Sequence, residues 1–455
     1  MKKILSISIL IITLAFFTSA CDNDDNNDVM IITQTKNIVE LAQINGFTSL
    51  AQALTRANLV DALQGAGPFT VFAPTNEAFD DLLAAIGQTN INDVPVSVLE
   101  KILLYHVVSG SVMSSQITAG DVPTLNGETI NLTTSGGIMV NGVSVINPFD
   151  VEATNGVIHT INQVLVPSDI AQFVNTVLEP AYFNNGFSTL IEAAVKANVV
   201  STLLNTPNLT IFAPTNDAFE ASGIDPSQID DSTLASVLTY HVVGAKVLSS
   251  GIPSEAATVN GENIYFSLVD SGNFINGDTE IIAEDIESGS GVVHVIDMVL
   301  LPPTGNIVET AIELTSTGEF TSLVAALSRT ANEGSAEQNL ITVLSGDGPF
   351  TVFAPTNAAF QALLDSNTGW NTLNDIPLDT LIAVLTYHVV PARAFDKDLP
   401  SVVNMNNELP TANGQNIMVN LTNFTLNTNS NIIGTNTNTT NGVIHVIDQV
   451  LIPTF

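Results

Sequence analysis

The chain has 455 residues and a formal charge of −35, from 45 acidic against 10 basic side chains. That balance excludes a general nucleic-acid binder, which must replace backbone counterions with Lys and Arg. Apolar residues make up 45% of the chain, enough for packed cores and too many for wholesale disorder, and the single cysteine excludes an intramolecular disulfide framework.

The first element in the chain is an address. Lys2 and Lys3 precede an apolar run from Ile4 to Phe17, which is too short for the roughly 30 Å bilayer core, so residues 1–20 are expected to be a signal peptide. Thr18-Ser19-Ala20-Cys21 resembles the lipobox of bacterial lipoproteins, with Thr18 where that motif usually carries Leu. The resemblance implies lipidation at Cys21, and the acidic stretch behind it, similar to that of Bacteroidetes surface lipoproteins, implies anchoring to the outer membrane with the protein exposed at the cell surface. Residues 21–33, rich in Asp and Asn, read as an acidic tether. Counted from Asp22 or Asp24, they lack the Gly and the bidentate Glu that an EF-hand loop requires.

After the tether, Phe47, Leu50, Ala51 and Leu54 follow a helical spacing. Phe69-Thr-Val-Phe72 reads as a short strand, Pro74-Thr75 turns it into a helix with Thr75 as N-cap, and Phe79, Leu82, Leu83 and Ile86 form that helix's buried stripe. A further helix opens after Pro95 and ends at Tyr105-His106. The segments beyond are β-rich and punctuated by Asn126-Gly127 and Asn141-Gly142, a dipeptide favoured in two-residue hairpins because both positions need positive φ. Helices first and strands later predict an α+β fold.

This order recurs. Gly67-Pro-Phe-Thr-Val-Phe-Ala-Pro-Thr-Asn-Glu-Ala-Phe79 returns as Asn208-Leu-Thr-Ile-Phe-Ala-Pro-Thr-Asn-Asp-Ala-Phe219 and as Gly348-Pro-Phe-Thr-Val-Phe-Ala-Pro-Thr-Asn-Ala-Ala-Phe360. Tyr105-His106 returns as Tyr240-His241 and Tyr387-His388, and the block Asn155-Gly-Val-Ile-His159 as Ser290-Gly-Val-Val-His294 and Asn441-Gly-Val-Ile-His445. Asn260-Gly261, Asn276-Gly277 and Asn413-Gly414 repeat the turn signals, and the third copy is expected to have no counterpart for the second turn. A period of about 140 residues exceeds solenoid units and implies tandem domains, expected at 34–167, 168–303 and 304–455. The three motifs in fixed order resemble the fasciclin domain over nearly everything after the tether. The resemblance implies three β-sandwich wedges, each with a layer of helices, in a family known chiefly from cell-surface adhesion proteins.

All six histidines lie in these motifs. Leu99, Ile102, Leu103 and His106 share one helical stripe, as do Leu234, Val237, Leu238 and His241, and Leu381, Val384, Leu385 and His388. His159, His294 and His445 alternate with apolar residues on a strand. The spacing makes all six structural, the helix set able to bond last-turn carbonyls. Two histidines per copy and no cysteine there fall short of a metal site, and no nucleophile elbow, phosphate loop or zinc-protease motif occurs. Asp150 and Glu152 match Asp285 and Glu287, but the third copy has Asn436 and Asn438, so shared acid catalysis is not expected and the segment reads as a polar loop. No cofactor is implied. The fasciclin resemblance makes Tyr105, Tyr240 and Tyr387 candidate contacts to a partner. The expected function is non-enzymatic adhesion to cell-surface or matrix proteins, with calcium weakly bridging the acidic surface, and the alternative is polysaccharide binding.

Overall fold

The computed structural model describes residues 35–455, so the signal peptide, Cys21 and the acidic tether lie outside the described residues. The rest forms three seven-stranded sheets with helices. In the first, the strands run across the sheet in the order Val107–Ser109, Phe69–Pro74, Gly156–Ile161, Val143–Ala153, Met139–Val140, Thr129–Thr133 and Gly120–Pro123. The other two sheets keep this order. One pair is parallel: Phe69–Pro74 lies beside Gly156–Ile161, in a register that opposes Phe72 to His159. The first and last strands of each repeat are therefore neighbours, and the strand after the Tyr-His pair flanks them. All three sequence motifs meet on adjacent strands.

The two ends of each sheet also meet. Val108 bridges to Thr124 and Val243 to Thr258, and Ala412 N–H donates to Val389 O at 2.7 Å. Each sheet thus curls around an apolar interior, which in the first repeat holds Phe72, Tyr105, Ile130, Val140 and Ile161. A second core lies between sheet and helices, so strand Gly156–Ile161 is buried along its whole length. The anticipated helices form at Thr48–Arg56, Asn76–Ala85 and Val96–Tyr105. Thr75, Thr215 and Thr356 each cap the helix after the Pro-Thr-Asn motif, accepting from the third residue's amide at 3.1 Å.

The turns need two corrections. At Asn141-Gly142 and Asn276-Gly277 both residues have positive φ, as expected. At Asn126-Gly127, Asn260-Gly261 and Asn413-Gly414 only the glycine does. There the Asn side chain shapes the turn instead: Asn126 Oδ1 accepts from Glu128 N–H at 2.9 Å, and Thr124 N–H reaches Glu128 O. The third repeat does have its second turn, built on Asn427 (φ 48°) and Thr428 (φ 74°). A β-branched residue in the left-handed region hid it from a search for Asn-Gly.

Candidate functional site

Each Tyr-His pair ends a helix and anchors the sheet to it. His106 Nδ1 lies 2.7 Å from Ile102 O, and its Nε2 accepts from Leu165 N–H at 2.8 Å. His241 does the same with Val237 O and Leu300 N–H, and His388 with Val384 O and Leu451 N–H. The proton therefore sits on Nδ1, and each neutral ring ties the helix end to the segment that closes its repeat. Burial pushes all three histidines down to about 4, against the opposing effect of the carbonyl bond.

The strand histidines use the opposite tautomer. Nε2 of His159, His294 and His445 donates to the carbonyls of Val112, Val247 and Ala394 at 2.8–2.9 Å. Each ring packs on the phenylalanine opposite it: Phe72, Phe212 and Phe353, with centroids 5.5–5.7 Å apart. Nδ1 faces the backbone N–H of Asp150, Asp285 or Asn436 at 3.3–3.4 Å.

Those three residues lie on strands rather than in a polar loop, each with φ near 60° where the pairing register shifts. Asp285 accepts from the Ser249 amide at 2.7 Å and its hydroxyl at 2.6 Å, and these bonds hold the carboxyl below its usual range. Asp150 likewise accepts from Ser114 N and Oγ, and Asn436 Oδ1 accepts from Asp396 N at 2.9 Å. The acceptor role towards the neighbouring backbone amide is common to Asp and Asn, whereas only Asn436 also donates, through Nδ2.

Tyr105, Tyr240 and Tyr387 are 5%, 0% and 4% exposed. Their hydroxyls donate to the carbonyls of Thr129, Asn263 and Asn416 and accept from the side-chain amides of Asn141, Asn276 and Asn427. The geometry gives these tyrosines an internal task and leaves little surface for a partner. Asn141 and Asn276 were visible in the sequence only as turn formers, and Asn427 was not singled out at all. Their second role, joining the hairpin tip to the Tyr-His helix, depends on sheet curvature that periodicity does not encode. Replacing Tyr387 with Phe should cost the third repeat about 1–2 kcal/mol by orphaning both partners. Trp370, the only tryptophan, packs on that repeat's core, so urea unfolding followed by its fluorescence checks this.

Among the described residues, no group of three or more His, Cys, Asp or Glu side chains is placed to hold a metal ion, and no helix is long and apolar enough to cross a membrane. The fasciclin domain model matches residues 45–167, 185–302 and 318–453, well over half the chain. The protein belongs to the fasciclin-domain family. It is 28% identical over 432 residues to transforming growth factor-beta-induced protein ig-h3 of Sus scrofa, covering 94% of this chain and 59% of that one. Human periostin is 28% identical over 424 residues, covering 89% and 46%. The chain therefore spans about half the length of these curated relatives. Protein sll1483 of Synechocystis is 45% identical over 132 residues, covering 29% of this chain and 73% of its own.

Proposed function

We propose that the protein is a non-enzymatic adhesion lipoprotein, held to the bacterial outer membrane by acyl chains on Cys21, that binds cells or extracellular matrix through three tandem modules. The observation that carries this reading is the threefold use of one module whose motif side chains are spent on internal bonds. What repeats is a scaffold, and repetition of a weak binding module raises avidity through effective concentration. The likeness to ig-h3 and periostin, each matched across all three repeats, supports the same reading. Domain limits at 34–167, 168–303 and 304–455 are part of the proposal.

The charge of −35 should repel anionic cells and polysaccharides unless divalent cations screen or bridge it. Attachment of cells displaying one, two or three domains should therefore rise with domain number and with calcium. Cys21→Ser should move the protein from the detergent to the aqueous phase and abolish attachment, since two or three acyl chains anchor where one is marginal. Equal attachment by every variant and by cells lacking the protein would reject the adhesion reading. Binding on a glycan array would then favour polysaccharide capture.

A further inference from the structure

The second and third domains meet through contacts that the repeat does not dictate. The Asn276-Gly277-Asp278 turn of the second domain is seated on the third: a Cβ on Gly277 would lie 2.7 Å from the Asn436 side chain and 2.8 Å from Phe395 Cβ. Asn436 Nδ2 donates to Asp278 Oδ1 at 2.6 Å and to Asp396 Oδ1 at 2.8 Å, so one amide holds a carboxylate from each domain. Beside this seat, the Arg393 guanidinium stacks 3.9 Å from the centroid of the Tyr265 ring. Judged by shared hydrogen-bond partners, Ser111 and Lys246 stand at the place of Arg393 in the other repeats, and Asn131 and Met418 at that of Tyr265. The first joint is made differently, by apolar helix packing with a Lys101–Asp169 ion pair of 2.5 Å and Glu128 accepting from Ser168.

The Arg393–Tyr265 bridge borders a cleft of about 620 Å³ between the two domains. Its size lies within the range of ordinary ligand sites, and domain interfaces are where such sites concentrate. Glu255 enters it from the second domain, and Asp347 and Asp398 from the third. Arg393 is the cation on its wall, and its two terminal nitrogens are spent on Asn438 Oδ1 and the carbonyls of Thr439, Thr440 and Gly442. Burial pushes the Asp398 carboxyl up, a cost that a neighbouring positive charge would relieve. A sugar would want a free aromatic face, and the Tyr265 face is covered by Arg393.

We infer that this cleft receives a lysine or arginine side chain from an exposed basic segment of a partner protein. Three carboxylates against one committed guanidinium supply the charge complementarity, and the open interdomain walls admit a long cationic stem. The inference goes beyond the adhesion reading, because it is read on purified protein without cells.

The test is fluorescence anisotropy of a fluorescein-labelled tetralysine peptide with the full-length protein in mild detergent, at about 150 mM salt to suppress long-range attraction. Glu255→Gln combined with Asp347→Asn removes two exposed cleft charges, and Asp80→Asn with Asp81→Asn removes two exposed charges from a helix of the first domain. The cleft pair should weaken binding by about fivefold or more and the helix pair by less than about twofold, with the fully acetylated peptide not bound. Equal weakening by both pairs, retained binding of the acetylated peptide, or no binding to the unaltered protein would overturn the inference.

Discussion

Taking the protein from pH 7 to pH 4 is expected to cost each domain about 3 kcal/mol through a single histidine. His106, His241 and His388 are fully enclosed, and each is held neutral by a carbonyl on Nδ1 and a backbone N–H on Nε2. Protonating Nε2 would set two donors face to face in a fully enclosed site. The pKa therefore falls from 6.5 to about 4 on folding, chiefly by burial. With the folded value below the unfolded one, the unfolded chain binds more protons between pH 4 and 6.5, so stability is full above pH 6.5 and is lost as pH falls towards 4. His445 is lowered by burial as well and adds to the loss in the third domain, while Asp278 and Asp398, raised by burial, oppose it at the joint. Carboxylates held low by hydrogen bonds, such as Asp285, act only below their ordinary range. Urea titrations followed by Trp370 fluorescence at pH 7, 5.5 and 4.5 read the third domain. His388→Gln should be weaker at pH 7 yet lose less on acidification. An unaltered domain equally stable at pH 7 and 4.5 would contradict the account.

The helical stripes ending at these histidines were legible because a period of 3.6 writes burial directly into the sequence. Leu99, Ile102, Leu103 and His106 are indeed all buried. The tandem division was legible because repetition needs no physics to detect. The parallel pairing of Phe69–Pro74 with Gly156–Ile161 was not, because local pattern carries no information about which strand lies alongside. Nor was the second partner of the Tyr105 hydroxyl, since Asn141 reaches it across 36 residues of chain. The reading of Asp150, Glu152, Asp285 and Glu287 as a polar loop failed for a related reason: Asp150 and Asp285 sit at a register shift and Glu152 and Glu287 on the paired strand just beyond it, and a polar strand of this kind resembles a loop in composition. Thr428 hid a turn by occupying a backbone region its side chain disfavours.

Asn441→Ala is expected to be the most damaging polar substitution in the third domain, at about 4 kcal/mol. This residue opens the closing motif and is 7% exposed. Its Oδ1 accepts from Ile307 N–H at 2.9 Å, one of the otherwise orphaned amides at the start of helix Ile307–Leu314. Its Nδ2 donates to Leu344 O at 2.8 Å and Gly346 O at 2.7 Å, at the end of helix Leu340–Leu344. One side chain thus joins segments 134 and 97 residues away in sequence, and alanine would leave a buried donor and two acceptors without partners. Asn155 repeats the arrangement with Ile38, Leu63 and Gly65. The second domain has Ser290 instead, whose hydroxyl accepts from Asn208 N–H at 3.0 Å, and it enters through the short helices Ser168–Ala171 and Glu179–Tyr182. Ser290→Ala should therefore cost only about 1 kcal/mol. Trp370 fluorescence separates the effects: Asn441→Ala should bring its urea transition to a much lower midpoint, whereas Asn155→Ala should leave that transition in place and lower the first domain's circular-dichroism transition. A shift below about 1 kcal/mol for Asn441→Ala would mean that water or neighbouring side chains replace all three bonds, and that the asparagine is not what fastens the closing strand to its helices.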